Sequence, residues 1–138
     1  DGSALAAYAL SADVTYSGGV VAILDNDNVV GASVNLVVAD KFIVDNVRCR
    51  VVVTHAALAQ LRVTLEAPDG TVVQLTDGGL PDADEWYSDG PIGTDSVPGA
   101  AFSGFRGKQA NGTWKIHCYD KVAGTTGTIE NGCRIQIT

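Results

Sequence analysis

GKQANGTWKIHCYDKVAGTTGTI, residues 107–129, reads as a turn, a strand, a second turn and the start of another strand. Asn111-Gly112 opens it with two residue types that accept the left-handed backbone of a tight turn. Trp114, Ile116 and Cys118 then alternate with Lys115, His117 and Tyr119, the two-residue period of a strand with one dry face and one wet face. This parity predicts Trp114 in the core and His117 on the exposed side. Gly124-Thr125-Thr126-Gly127 breaks the run, and Cys133, Ile135 and Ile137 resume the alternation in CRIQIT. Asn111-Gly112-Thr113 is formally a glycosylation sequon, which the turn explains without a sugar.

The same period recurs upstream. Val34, Leu36 and Val38 share one face of ASVNLVVA (32–39). Val47, Cys49, Val51, Val53 and His55 share one face of VRCRVVVTH (47–55), with Arg48, Arg50 and Thr54 on the other. LRVTLEAPDGTVVQL (61–75) reads as a hairpin that turns at Pro68-Asp69-Gly70. About eight short antiparallel strands around one core, with no helix to cover a sheet, predict an all-β fold: a jelly-roll-like β-sandwich. Residues 1–15, with the Ala-rich SALAAYALSA, are expected as an N-terminal arm or first strand, and residues 16–138 as the sandwich. Residues 77–100 hold five Gly, three Pro and five Asp with little periodicity, so a long loop is expected there.

Composition narrows the function. The 138 residues are 46% hydrophobic, ample for one core, and carry a net charge of −7. No Lys/Arg cluster offers the basic patch that nucleic acid needs. No run of eighteen apolar residues spans a membrane. Few charged residues, few Lys and many Thr and Val point to a secreted protein. A start at Asp1 without any Met reads as an excised or processed product.

Three segments together resemble a known family. THAALAQLRVTLEAPDGTVVQL (54–75) carries His55, Leu61, Leu65, Pro68, Gly70, Thr71 and Leu75 at the spacing found in the P domain (P/Homo B domain) of subtilisin-like proprotein convertases and related bacterial secreted proteases. FRGKQANGTWKIHCYDKVAGTTGTIENGCRIQI (105–137) is similar to that domain's second signature through Asn111, Gly112, Thr113, Trp114, Asp120, Gly124, Gly127 and Thr128. ILDN (23–26) resembles its opening turn. Ala59-Gln60 stands where the family usually has Gly-Asp, Thr125 where it has Asp, and Cys133 where it often has Trp. The resemblance implies a jelly-roll sandwich with no active site of its own. Such a domain lies C-terminal to a secreted protease domain in the same chain, stabilises it, and in some cases helps to engage protein substrate.

The candidate chemistry is consistent with a non-catalytic role. His55 shares a strand face with valines, where a His is more often packed and hydrogen-bonded to a turn than a base. No GxSxG elbow supplies a nucleophile. No cofactor is required. Calcium is the one candidate ligand, because it takes six to eight oxygens and LDNDN (24–28) and DADEWYSD (82–89) are rich in them. Asp82, Asp84, Asp89 and Asp95 are its candidate ligands, although Asp and Asn also make turns unaided. Trp86, Tyr87 and Asp89 in the 77–100 segment are the candidate contacts for a partner or substrate. They also support the alternative of an extracellular binding module for protein or glycan. Cys118 and Cys133 face inward with 14 residues between them, so a bridge would add about 3 kcal/mol. Cys49–Cys133 is the rival pairing, and three separate buried thiols the third reading. His55, Asn111, Trp114, Asp120, Cys118 and Cys133 are thus the expected structural residues.

Overall fold

The computed structural model describes residues 11–90 and 93–138. Within these, ten strands form two antiparallel sheets packed face to face: β1 (Ala12–Thr15), β2 (Val21–Ile23), β3 (Asp27–Val38), β4 (Val47–His55), β5 (Leu61–Glu66), β6 (Val72–Thr76), β7 (Asp84–Ser88), β8 (Gly112–Asp120), β9 (Gly127–Ile129) and β10 (Arg134–Ile137). Helical structure among the described residues is limited to two short 3₁₀ turns, Leu58–Gln60 and Phe102–Phe105. No helix among them is long and apolar enough to cross a membrane. The all-β sandwich expected from the alternation is present. Its larger strand count comes from short pieces such as the three-residue β2 and β9.

The smaller sheet runs β3-β8-β5-β6, and its inner face carries Val34, Leu36, Val63, Leu65, Trp114 and Ile116. In the larger sheet β9 and β10 are two halves of one strand along the same edge of β4. Ile129 pairs with Val53 and Arg134 with Arg50, so residues 130–133 oppose only Val51 and Val52. The surplus forms a bulge. There the Val52 amide bonds the Cys133 sulfur at 3.3 Å, and the Glu130 amide bonds the Val52 carbonyl at 2.9 Å. On the far side β1 pairs with β10 and β2 with β9. Ala12–Thr15 is a first strand of the sandwich, one of the two readings expected for residues 1–15, while residues 1–10 lie outside the described residues.

Two expectations are corrected. First, residues 77–100 are not one loop. Asp84–Ser88 pairs along the free edge of β4, from Arg48↔Ser88 to Val52↔Asp84. Ser96 then bonds the backbone on either side of Tyr87, its amide to the Trp86 carbonyl at 2.8 Å and its carbonyl from the Ser88 amide at 3.0 Å. An open edge of a buried strand captures even a short alternating run. Second, no disulfide forms: Cys49, Cys118 and Cys133 are all free and buried. Cys118 lies on β8 of the smaller sheet, whereas Cys133 sits in the bulge of the larger one with its sulfur turned to the Val52 backbone.

Candidate functional site

The nearest approach to a catalytic arrangement is His55 with Asp120. His55 ends β4, and Asp120 ends β8 on the facing sheet. Both side chains point inward by the strand parity that buries their neighbours, and both are 0% exposed. His55 Nδ1 accepts the Ala57 amide at 3.0 Å, so the ring proton sits on Nε2, which donates to Asp120 Oδ2 at 2.8 Å. Asp120 Oδ1 accepts the Val122 amide at 3.1 Å. In a hydrolytic triad the second imidazole nitrogen would face a hydroxyl. Here it faces a backbone N–H, and neither group reaches solvent. Gly127 passes so close that an added Cβ would lie 2.2 Å from the Thr54 carbonyl and 2.8 Å from the His55 ring. The pair pins the β4–β5 turn to the end of β8, and its geometry leaves no nitrogen free to act as a base.

Nearby, two positions that depart from the family pattern meet: the Thr125 hydroxyl donates to Gln60 Oε1 at 2.7 Å. Asp25 accepts the Gly124 amide at 3.0 Å. A neutral side-chain pair and one carboxylate thus close the junction of the β2–β3, β4–β5 and β8–β9 connections.

Trp86, Tyr87 and Asp89 are not brought together. Tyr87 lies opposite Cys49 in the core, its hydroxyl without a hydrogen-bond partner among the described residues, and burial pushes its pKa far up. Asp89 accepts the amides of Phe102 and Ser103 at 2.8 and 3.1 Å and so holds the second 3₁₀ turn. Phe105 of that turn meets Trp114 edge to face at 5.0 Å. Trp114 is fully buried and donates from Nε1 to the Ala110 carbonyl at 2.8 Å. Ahead of it Gly112 adopts φ +125° beside Pro68, whose Cβ would lie 2.6 Å from any added Cβ, so the turn after Asn111 needs glycine.

Trp86, half-buried like Asp89, lies on the outer face of the larger sheet, and it has company that sequence reasoning did not assign. Arg48, Arg50 and Arg134 place their guanidinium carbons 3.9, 6.0 and 5.7 Å from its ring centroid, within cation–π range. Each arginine is also held by a carboxylate. Arg48 pairs bidentately with Asp95 at 2.6 and 2.8 Å, Arg50 with Asp84 at 2.7 and 2.6 Å, and Arg134 grips both oxygens of Asp13. These hydrogen bonds hold the Asp13, Asp84 and Asp95 carboxyls below the usual carboxylate range. The outward parity of Arg48, Arg50 and Arg134 was legible, but their meeting at Trp86 needed the register of three strands.

The four expected calcium ligands do not converge either. Asp84 and Asp95 are paired with arginines, Asp89 caps a turn, and Asp82 accepts the Ala83 amide at 2.7 Å. Among the described residues no group of three or more His, Cys, Asp or Glu is placed to hold a metal ion. Each of the four carboxylates instead accepts from a guanidinium or a backbone donor.

The sequence profile described as the proprotein convertase P-domain matches residues 44–132. No curated protein sequence matches significantly. Two solved structures share the fold over 94% of the chain at 18% identity. They are an Aeromonas sobria serine protease in complex with a chaperone (TM-score 0.61) and the serine protease of Aeromonas sobria (TM-score 0.59). The chain spans 26% of the length of each of those protease chains.

Proposed function

The chain belongs to the proprotein convertase P-domain family, and from that premise we propose that it is the non-catalytic accessory domain of a secreted subtilisin-like protease, packed against and stabilising the catalytic domain of the same polypeptide. The family match over residues 44–132 carries this reading. The buried His55–Asp120 pair supports it, since the arrangement that most resembles catalytic machinery is used to lock loops. Guidance of protein substrate toward the catalytic domain is a further part of the proposal.

The test compares the full-length polypeptide with a version lacking residues 11–138. Deletion is expected to lower the yield and melting temperature of the protease domain, while the isolated chain hydrolyses no peptide. Equal stability without the chain, or peptide hydrolysis by a pure sample of it, overturns the proposal.

A second reading, an extracellular binding module for protein or glycan, draws on the half-buried Trp86 on the outer face among Arg48, Arg50 and Arg134. Glycan-array or protein binding that vanishes in Trp86→Ala favours it. Binding unchanged by that substitution counts against it.

A further inference from the structure

The most exposed large apolar side chains among the described residues are Val29 and Val30, at 86% and 73%. They sit at the tip of a detour in β3. Pairing with β8 is interrupted between Asp27↔Asp120 and Ala32↔Cys118, so residues 28–31 oppose only Tyr119. The detour is firmly held. Asp27 accepts the amides of Val29, Val30 and Gly31 at 3.1, 3.0 and 3.1 Å. Asn28 accepts two hydrogen bonds from Arg62, whose guanidinium lies 3.9 Å over the Tyr119 ring. Gly31 adopts φ +69° where an added Cβ would lie 2.6 Å from that ring.

Leu24 (54% exposed) and Val122 (46%) belong to the same end of the sandwich, because Asp25 bonds Gly124 and joins the β2–β3 and β8–β9 connections. Arg62 bound to Asn28 and Asp25 bound to Gly124 set polar groups at the same end as these apolar side chains, and apolar centres flanked by polar groups are the anatomy of an interface. A tip ordered in advance loses little conformational freedom on binding, yet its valines contribute almost nothing to the fold.

We infer that this end, centred on Val29 and Val30, is the surface that docks onto an apolar depression of the protease catalytic domain. The inference rests on the accessory-domain reading above. The size of the patch selects the occupant. Four aliphatic side chains offer on the order of 100 Å² each, well below the roughly 800 Å² per partner of a stable free-standing complex. A domain tethered in the same polypeptide needs far less, because the linker supplies an effective concentration on the order of millimolar. A second copy of the chain, free in solution, has no such advantage.

The experiment places Val29→Asp/Val30→Asp in the full-length polypeptide. Val37→Asp/Val72→Asp, at comparably open positions (61% and 53%) beyond the patch, serves as the control. Val29→Ser/Val30→Ser is the milder second variant. In the isolated chain all three are expected to melt with the wild type, since the side chains replaced are in water. In the full-length polypeptide the two tip variants are expected to reproduce most of the loss of protease-domain stability caused by deleting residues 11–138, and the control none of it. If deletion lowers stability while both tip variants behave as wild type, or if the control does the damage, the docking surface is wrong and the accessory role stands. If deletion itself has no effect, the accessory role falls and the docking inference with it.

Discussion

His55 and Asp120 show how one buried pair carries the weight of two connections. Asp120 is wholly buried, and its contacts are the His55 Nε2–H and the Val122 amide. Removing the imidazole leaves a buried carboxyl short of a donor, the costly half of breaking a pair. His55→Ala is therefore expected to destabilise by about 3 kcal/mol, and Asp120→Ala by a similar amount. The double variant should cost clearly less than the sum, because the two losses are the same loss. Urea unfolding of all four proteins reads this, and strict additivity would show that the pair does not act as a unit. The thiols give a second test. Burial raises the pKa of Cys49 well above its ordinary value, that of Cys118 to about 12 and that of Cys133 to about 11. A thiol that is both inaccessible and protonated does not attack a disulfide reagent. Ellman titration is expected to find no reactive thiol in the native protein near pH 8 and three per chain in denaturant, with no change of melting temperature on adding reductant. Fewer than three in denaturant would reveal a bridge.

At the scale of elements, what could be read in advance followed how each segment gets its information. β8 announces itself, since five turns of alternation from Trp114 onward admit one parity, and Trp114, Ile116 and Cys118 are all buried. β7 does not. Its five residues sit between Gly- and Pro-rich flanks, and they become a strand only because β4 offers an edge, information held 32 to 40 residues away. For the same reason Trp86 and Tyr87 looked alike in sequence, although adjacent strand residues must face opposite ways. The outer face joined by Trp86 makes its own prediction. The Asp13, Asp84 and Asp95 carboxyls are lowered chiefly by hydrogen bonds from Arg134, Arg50 and Arg48, and Asp69 is lowered to about 2 chiefly by Lys108. A carboxyl with a folded pKa below its unfolded one adds stability that is present above the unfolded value, about 3.9, and is lost as pH falls through the folded value. Stability should therefore decline from about pH 4 toward pH 2. Asp95→Asn with Asp84→Asn should flatten that decline while lowering stability at neutral pH. Chemical denaturation at stepped pH checks it, and an unaltered acid slope in the double variant would mean these ion pairs are too well solvated to matter.

The whole molecule is held by pairings that join distant parts of the chain. β10 lies between β1 and β4, and Asp13 bonds Gln136 across 123 positions. The family match over residues 44–132 contains β4 through β9 but omits β1, β2, β3 and β10. Without β3, β8 loses seven consecutive partners from Ala32 to Val38, including Leu36 opposite Trp114. Without β10, one edge of β4 is left bare over Val47–Arg50 and Ile135 and Ile137 leave the core. What remains would expose the inner faces of both sheets, and no local element could hold it, since sandwich stability arises only when both layers close. A fragment limited to residues 44–132 is thus expected to show no cooperative melt and a Trp114 emission typical of water, whereas residues 11–138 melt in one transition with Trp114 emitting from a dry site. The same long-range pairing should make the intact chain fold in milliseconds to seconds rather than microseconds. A cooperative transition in the 44–132 fragment would mean that the outer strands decorate a self-sufficient core, and that the two-layer closure described for Trp114 is not what keeps the domain folded.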